Sequence, residues 1–277
     1  LTWLSCVIDS FLIHYVHMQS LSLEQSIVHT LAFFDVFDAC LTVEEIEIYL
    51  WCYKSPSRIE VQTALESLIS KNIVVSERGY VGLRALANER IQRIALLEKK
   101  LDIALRAARK LRYIPFVRAA FVCNNLALGT VRSESDIDVF IIVSPGRMWI
   151  ARLIVTTVLR MFGLARTKKK EINRVCLSFY ATTDVLDMSK VTITDPDIYL
   201  MYWVRSLMPI YDPENLYHTV QRENSWIDIY IKAQQSCLLS QDKRAMTTTL
   251  SRRVKQLLER MWTGAVGDLI EQQAKEI

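Results

Sequence analysis

The sequence predicts an α+β protein with a helical N-terminal domain, a mixed sheet flanked by helices, and a helical C-terminal region. Apolar residues recur at helical spacing between residues 24 and 70, which predicts helices there. Two β-rich runs follow, FVRAAFVC at 116–123 and VFIIV at 139–143. We therefore predict four segments: a helical N-terminal domain at 1–85, a linking helix at 86–115, a sheet-bearing core at 116–198, and a helical C-terminal region at 199–277.

Composition excludes several classes of protein. The chain of 277 residues has only 7 glycines and 6 prolines, too few for a turn-dense all-β fold. Neither of the two common glycine-rich phosphate loops occurs. The six cysteines form no CxxC pair and the four histidines show no metal-binding spacing, which favours reduced thiols in a cytoplasmic protein without zinc. No run of 18 apolar residues occurs, so we predict no membrane span.

The first 85 residues predict three helices followed by a hairpin. Thr42 and Glu45 form a capping box at the start of the second helix, and Ser57 begins the third. Residues 72–83 predict two short strands joined by a turn at Arg78-Gly79. This is the element order of a winged-helix domain, in which the third helix reads DNA.

The charge of this segment argues against DNA binding. Residues 1–85 carry ten acidic and five basic side chains, and the predicted third helix itself contains two glutamates. Duplex DNA is bound by a basic surface. We therefore favour a structural role or a protein partner for this domain, and keep a winged-helix transcriptional regulator as the weaker hypothesis.

Positive charge is concentrated in two later stretches. The predicted linking helix over 86–112 is strongly basic and ends before Pro115. The second stretch, 147–174, carries eight basic residues against Glu171 alone, which is typical of a solvated face or of a surface beside bound phosphate. Near the end of the chain, residues 244–277 predict one amphipathic helix that packs on the core or on a partner.

The most informative motif is SESDIDVFIIV, in which two aspartates begin a predicted central strand. Side chains alternate along a strand, so Asp136 and Asp138 share one face while Ile137 points into the core. Two neighbouring carboxylates repel each other, and a divalent cation with oxygen ligands relieves that repulsion. The competing interpretation is a solvent-facing strand end that carries two acids by chance.

The motif and its surroundings resemble the nucleotidyltransferase superfamily, which has a polymerase-β-like fold. A strand at 116–123, a turn at Asn124-Asn125, and a stretch of about ten residues precede SDIDVFII. More narrowly, the chain resembles bacterial members in which a winged-helix-like N-terminal segment precedes this core. The stretches NRVCLSFYATTD, DPDIYLMYWVRSLMPIYD and RENSWIDIYI look like their companion segments.

The resemblance implies transfer of a nucleoside monophosphate from a nucleoside triphosphate to an acceptor hydroxyl or similar group, with two Mg²⁺ ions. Asp136 and Asp138 match the catalytic, metal-binding pair. Asn124 and Asn125 align with the Gly-Ser turn that binds the nucleotide, and Ser135 immediately precedes the acids as a further nucleotide-binding candidate. The resemblance leaves the acceptor unknown.

The chain departs from the family pattern in two places. Asparagine can adopt the left-handed conformation of the glycine it replaces at Asn124, but its side chain fills space that phosphate would use. Active members also have a third carboxylate on a neighbouring strand, and the corresponding strand at 174–181 contains none. Glu171 and Asp184 flank that strand and are the nearest candidates. The alternative function is therefore a weakened or inactive family member that senses nucleotide or binds a partner.

Overall fold

A computed structural model describes residues 21–51, 55–232 and 243–276. Helices and a mixed sheet make up these residues, so the α+β class is confirmed. Two compact units are present: the described parts of Leu1–Gln92 and Trp226–Ser236 form the first, and those of Arg93–Ser225 and Cys237–Ile277 form the second. The four predicted segments with boundaries at 85, 115 and 198 stay predictions, and residues 1–20 of the first lie outside the described residues.

The first unit contains three helices and a two-stranded hairpin, which are α1 (Leu23–Asp35), α2 (Val43–Tyr49), α3 (Arg58–Ser70), β1 (Val75–Glu77) and β2 (Tyr80–Gly82). Each helix begins with a capping box, including the predicted pair Thr42 and Glu45. The hairpin turns at Arg78 and Gly79, whose φ angles of 52° and 82° suit a two-residue turn. The later segment that begins at Trp226 also belongs to this unit. Within it, the ring of Tyr230 packs on the ring of Trp51, with centroids 5.1 Å apart.

The second unit is built on a four-stranded sheet with the order β5-β4-β3-β6. Strand β4 pairs antiparallel with β3 and parallel with β5, while β3 pairs antiparallel with β6. Helix α4 (Ala87–Leu111) leads into this unit. The elements that follow it up to residue 223 are β3 (Val117–Val122), α5 (Asn124–Ala127), β4 (Ile137–Val143), α6 (Met148–Met161), β5 (Val175–Thr182), α7 (Ile198–Ser206), β6 (Met208–Tyr211) and α8 (Leu216–Glu223).

This sheet is buried on both faces at its centre. Every residue of β3 except Arg118 and every residue of β4 except Asp138 is buried. Because β3 runs antiparallel to β4 and β5 runs parallel to it, the end of β3 and the starts of β4 and β5 meet at one edge of the sheet. The residues at these three strand ends therefore lie close together.

Two helices, α9 (Thr249–Met261) and α10 (Gly264–Glu276), follow the sheet. The prediction of one helix over 244–277 is wrong, because α9 ends at Met261 and a separate helix begins at Gly264. Gly264 has a φ of 73° at this point, a left-handed conformation that glycine adopts without steric cost. None of the described helices is both long and apolar enough to cross a lipid bilayer.

Lys255 on α9 places a buried ammonium group at the far end of the sheet. Its Nζ donates to the carbonyl of Val117 at the start of β3 and to the Tyr211 hydroxyl 3.3 Å away. Burial, assisted by the positive charge of Arg118, lowers the pKa of Lys255 to about 8. This lysine therefore loses its proton in the folded chain at a lower pH than in the unfolded chain.

We expect the free energy of unfolding to rise with pH between about 8 and about 10.4 in the wild type relative to Lys255→Met. In that window the unfolded chain binds a proton that the folded chain has released, which gives a slope of up to about 1.4 kcal/mol per pH unit. Urea denaturation from pH 7 to pH 9.5 measures the difference. Lys275→Met, at an exposed position, serves as the control. If the free energy of unfolding of the wild type and that of Lys255→Met differed by the same amount at every pH, the lowered pKa of Lys255 would be contradicted.

Candidate functional site

The candidate site lies where β3 ends and β4 and β5 begin. Asn124 follows β3, Asp136 and Asp138 stand at the start of β4, and Cys176 is the second residue of β5. The backbone N–H of Cys123 donates to the carbonyl of Asp138 over 3.1 Å, which joins β3 to β4 at this edge. Sheet register thus brings together residues that are up to 52 positions apart in the sequence.

The two aspartates share a face, as the strand alternation predicts. Ile137 between them is fully buried, while Asp136 keeps 19% of its side chain exposed. A carboxylate oxygen from each aspartate and the Cys176 sulfur all lie within 4.8 Å of one another. Among the described residues, this is the one group of three metal-ligating side chains that comes so close together.

Cys176 occupies the place nearest to the acid pair on the neighbouring strand. The register of the parallel pair sets it directly opposite Asp138. Mg²⁺ prefers oxygen ligands and often takes only one or two carboxylates, with water and substrate phosphates completing its coordination. The two carboxylates therefore fit Mg²⁺, whereas a thiol is a poor third ligand for so hard an ion.

Arg166 supplies a positive charge to the acid pair. Its Nη1 donates to Asp136 Oδ2 at 2.7 Å and contacts the Cys176 sulfur at 3.9 Å, and its Nη2 lies 2.9 Å from Glu171 Oε1. Hydrogen bonds to Glu171 and Cys176, together with the charge of Asp136, raise the pKa of this guanidinium. A cation that binds Asp136 must therefore compete with Arg166.

The two candidates for a third carboxylate do not join the acid pair. Glu171 pairs with Arg166 and is not part of the group of metal-ligating side chains. Asp184 follows the opposite end of β5, since the neighbouring Thr183 N–H donates to the carbonyl of Val143 at the end of β4. Strand β4 has seven residues, so its two ends lie about 20 Å apart.

The turn after β3 has the left-handed conformation expected of a glycine replacement. Asn124 has a φ of 54°, and its side-chain Oδ1 accepts a hydrogen bond from the Tyr199 hydroxyl at 3.0 Å. Burial and the charge of Asp138 raise the pKa of Tyr199, which keeps that hydroxyl a donor. Asn125 Oδ1 accepts from the Thr130 hydroxyl at 3.1 Å instead. Both asparagine side chains are thus engaged within the protein.

Ser135 does not bond an aspartate side chain. Its hydroxyl donates to the carbonyl of Arg132 at 3.0 Å, which closes the turn that leads to the acid pair. Its own carbonyl accepts a hydrogen bond from Lys100. A role for Ser135 in binding nucleotide therefore stays a prediction.

Lys100 is a site residue that the sequence analysis missed. It lies on α4, is fully buried, and donates from Nζ to the Ser135 carbonyl at 2.5 Å and to Asn173 Oδ1 at 3.1 Å. Burial lowers the pKa of this lysine, and the charge of Asp136 opposes that effect. One ammonium group thus ties together the loops that lead into β4 and β5. In the sequence it is one of many basic residues on a helix, so no pattern distinguishes it.

No protein-family model matches the chain, and neither curated proteins nor solved structures yield a match. The resemblance to nucleotidyltransferases therefore depends on the residues themselves. The function must accordingly be argued from the geometry and charge of this sheet edge.

We expect Lys100→Met to lower the free energy of unfolding by about 1–3 kcal/mol, because two half-buried acceptors lose their donor. Chemical denaturation followed by circular dichroism measures the loss. Lys99→Met changes the preceding, exposed lysine and is expected to stay within about 0.5 kcal/mol of the wild type. Equal stability of the two variants would show that the Lys100 contacts do not hold the loops.

Proposed function

We propose that the protein is a Mg²⁺-dependent nucleotidyltransferase that moves a nucleoside monophosphate from a nucleoside triphosphate to an acceptor hydroxyl. The observation that carries the proposal is the acid pair at the start of a buried central strand. Its carboxylate oxygens lie within 4.8 Å of each other, close enough to share one cation. The left-handed turn at Asn124 lies at the same sheet edge, which agrees with the order of motifs on which the resemblance depends.

In the proposed reaction, the acceptor oxygen forms a bond to the α-phosphorus of the triphosphate. The bond from that phosphorus to the oxygen that bridges it to the β-phosphate breaks, pyrophosphate leaves, and the hydroxyl proton passes to water. Asp136 and Asp138 would hold Mg²⁺, which neutralises phosphate charge when bound. Tyr199 orients the Asn124 side chain, and Lys100 holds the acid pair in position through the Ser135 carbonyl.

The alternative proposal is a family member with weak or lost catalysis that senses nucleotide or binds a partner. Cys176 favours it, because a thiol stands opposite Asp138 where active members need a third carboxylate. The ion pair between Arg166 and Asp136 favours it as well, since the guanidinium occupies one oxygen of a metal ligand. Both features reduce the affinity of the acid pair for a divalent cation.

We further propose that the first unit is a winged-helix-like domain that binds a protein rather than DNA, in a cytoplasmic protein. Its three helices and hairpin have the required order. The described basic side chains of this unit are largely engaged in ion pairs: Arg58 of α3 with Glu44, and Lys71 with Glu24 at 2.7 Å. Arg84 likewise pairs with Asp35 at 2.8 Å. Few cations thus remain for phosphates of a duplex.

Asp138→Asn is expected to lower Mg²⁺-dependent transfer by about 100-fold or more, since a metal ligand contributes several kcal/mol to the transition state. Triphosphates labelled at the α-phosphate, incubated with Mg²⁺ and pools of hydroxyl acceptors, provide the assay. Asp184→Asn removes an acid at the other end of β5 and serves as the matched control. Transfer that survives Asp138→Asn unchanged would reject the mechanism.

Cys176→Asp is expected to raise transfer and Mg²⁺ affinity by at least about tenfold, because it adds a third oxygen ligand beside the acid pair. Isothermal titration with Mg²⁺ and the same transfer assay measure the two effects. Cys176→Ser removes the thiol without adding charge. Activity that appears only in Cys176→Asp would favour the alternative of lost catalysis, and equal behaviour of both variants would show that position 176 does not face the cation.

A further inference from the structure

A second feature of the same unit is a basic cavity of about 390 Å³ beside the start of β5. Helix α6 contributes Arg152, Thr156 and Arg160, which are spaced four residues apart and therefore share one face of the helix. The loop between α6 and β5 adds Arg166 and Lys168. Four cationic side chains thus converge on one cavity from two elements.

The positive charge of this cavity is poorly neutralised. Glu171 is its single carboxylate among the described lining residues, and that group already pairs with Arg166. Within the described part of the chain, no carboxylate lies within 4.0 Å of Arg152, Arg160 or Lys168. Positive side chains gathered around one cavity create a potential that attracts an anion.

The cavity borders the candidate site on the side away from Asn124. Arg166 and Cys176 line the cavity and also contact the acid pair. Strand β4 lies between β5 and β3, so the cavity and the Asn124 turn are separated by two strand spacings, about 10 Å. The acids of β4 thus stand between a turn that the resemblance assigns to nucleotide and a cavity that attracts an anion.

We propose that this cavity binds the phosphate group of the acceptor, and that the acceptor is a small phosphorylated molecule. That the ligand is the acceptor rests on the proposed transfer reaction, whereas phosphate binding by the cavity does not. Guanidinium groups bind phosphate through paired hydrogen bonds, and three of them line this cavity. A phosphate held here leaves a hydroxyl of the same molecule within reach of the acid pair.

The lining also argues against a nucleic acid as the acceptor. Of the described residues that line the cavity, none is aromatic, and the guanidinium of Arg152 lies over the nearby rings of Trp149 and Tyr180. Threonines and short aliphatic side chains complete the wall instead. The cavity therefore suits a compact phosphate ester better than a single strand.

Titration of the full chain with inorganic phosphate, without nucleotide and with the divalent cations chelated, tests the cavity directly. We expect saturable binding of one phosphate, weakened about tenfold in Arg160→Gln and in Lys168→Gln, because each removes one charged hydrogen bond. Arg253→Gln removes an exposed cation from α9, outside the cavity, and is expected to bind phosphate like the wild type. Circular dichroism checks that all three variants fold.

Two further titrations identify the source of the phosphate. Phosphate affinity that is unchanged by a saturating non-hydrolysable triphosphate with Mg²⁺ supports a separate acceptor site, and competition between the two would assign the cavity to the nucleotide and overturn the proposal. Displacement of phosphate by single-stranded RNA at lower concentration would overturn the small acceptor. Absence of phosphate binding refutes the cavity alone, whereas absent transfer with normal phosphate binding refutes the reaction alone.

Discussion

Two carboxylates at the start of a buried strand require positive charge nearby, and two basic side chains of the second unit supply it. Arg166 contacts Asp136 directly, and the buried ammonium of Lys100 reaches the carbonyl of the preceding Ser135. Each cation in turn fixes a loop: Arg166 through Glu171, and Lys100 through Asn173. The arrangement of the strand ends therefore depends on charge as well as on the apolar contacts of the sheet.

The sequence predicts the elements of this protein better than it predicts their contacts. The alternation around Ile137 and the capping residue Thr42 are local patterns, so the strand and the helix start follow from them. The position of Cys176 opposite Asp138 depends on the register between two strands with a helix between them. A local pattern contains no information about such a register, and Glu171 and Asp184 were therefore equally plausible candidates for the third carboxylate.

The contacts of charged side chains are similarly hard to predict from a sequence alone. Arg166 is one of eight basic residues in its stretch, and the pattern does not indicate which of them meets the acid pair. The single helix expected over 244–277 shows a different limit, because the amphipathic pattern continues through Gly264 although the backbone turns there. Pattern analysis detects which face of a helix is apolar, but a left-handed residue interrupts the helix without changing that pattern.

The contact between Arg166 and Asp136 also has a consequence for the stability of the strand ends. Because the guanidinium already balances a carboxylate, the strand ends do not depend on a bound ion for their electrostatic stability. We therefore expect the fold to withstand chelators, unlike that of proteins in which the metal itself closes the structure. A divalent cation that bound the acid pair would therefore meet strand ends that the protein's own ion pair already holds.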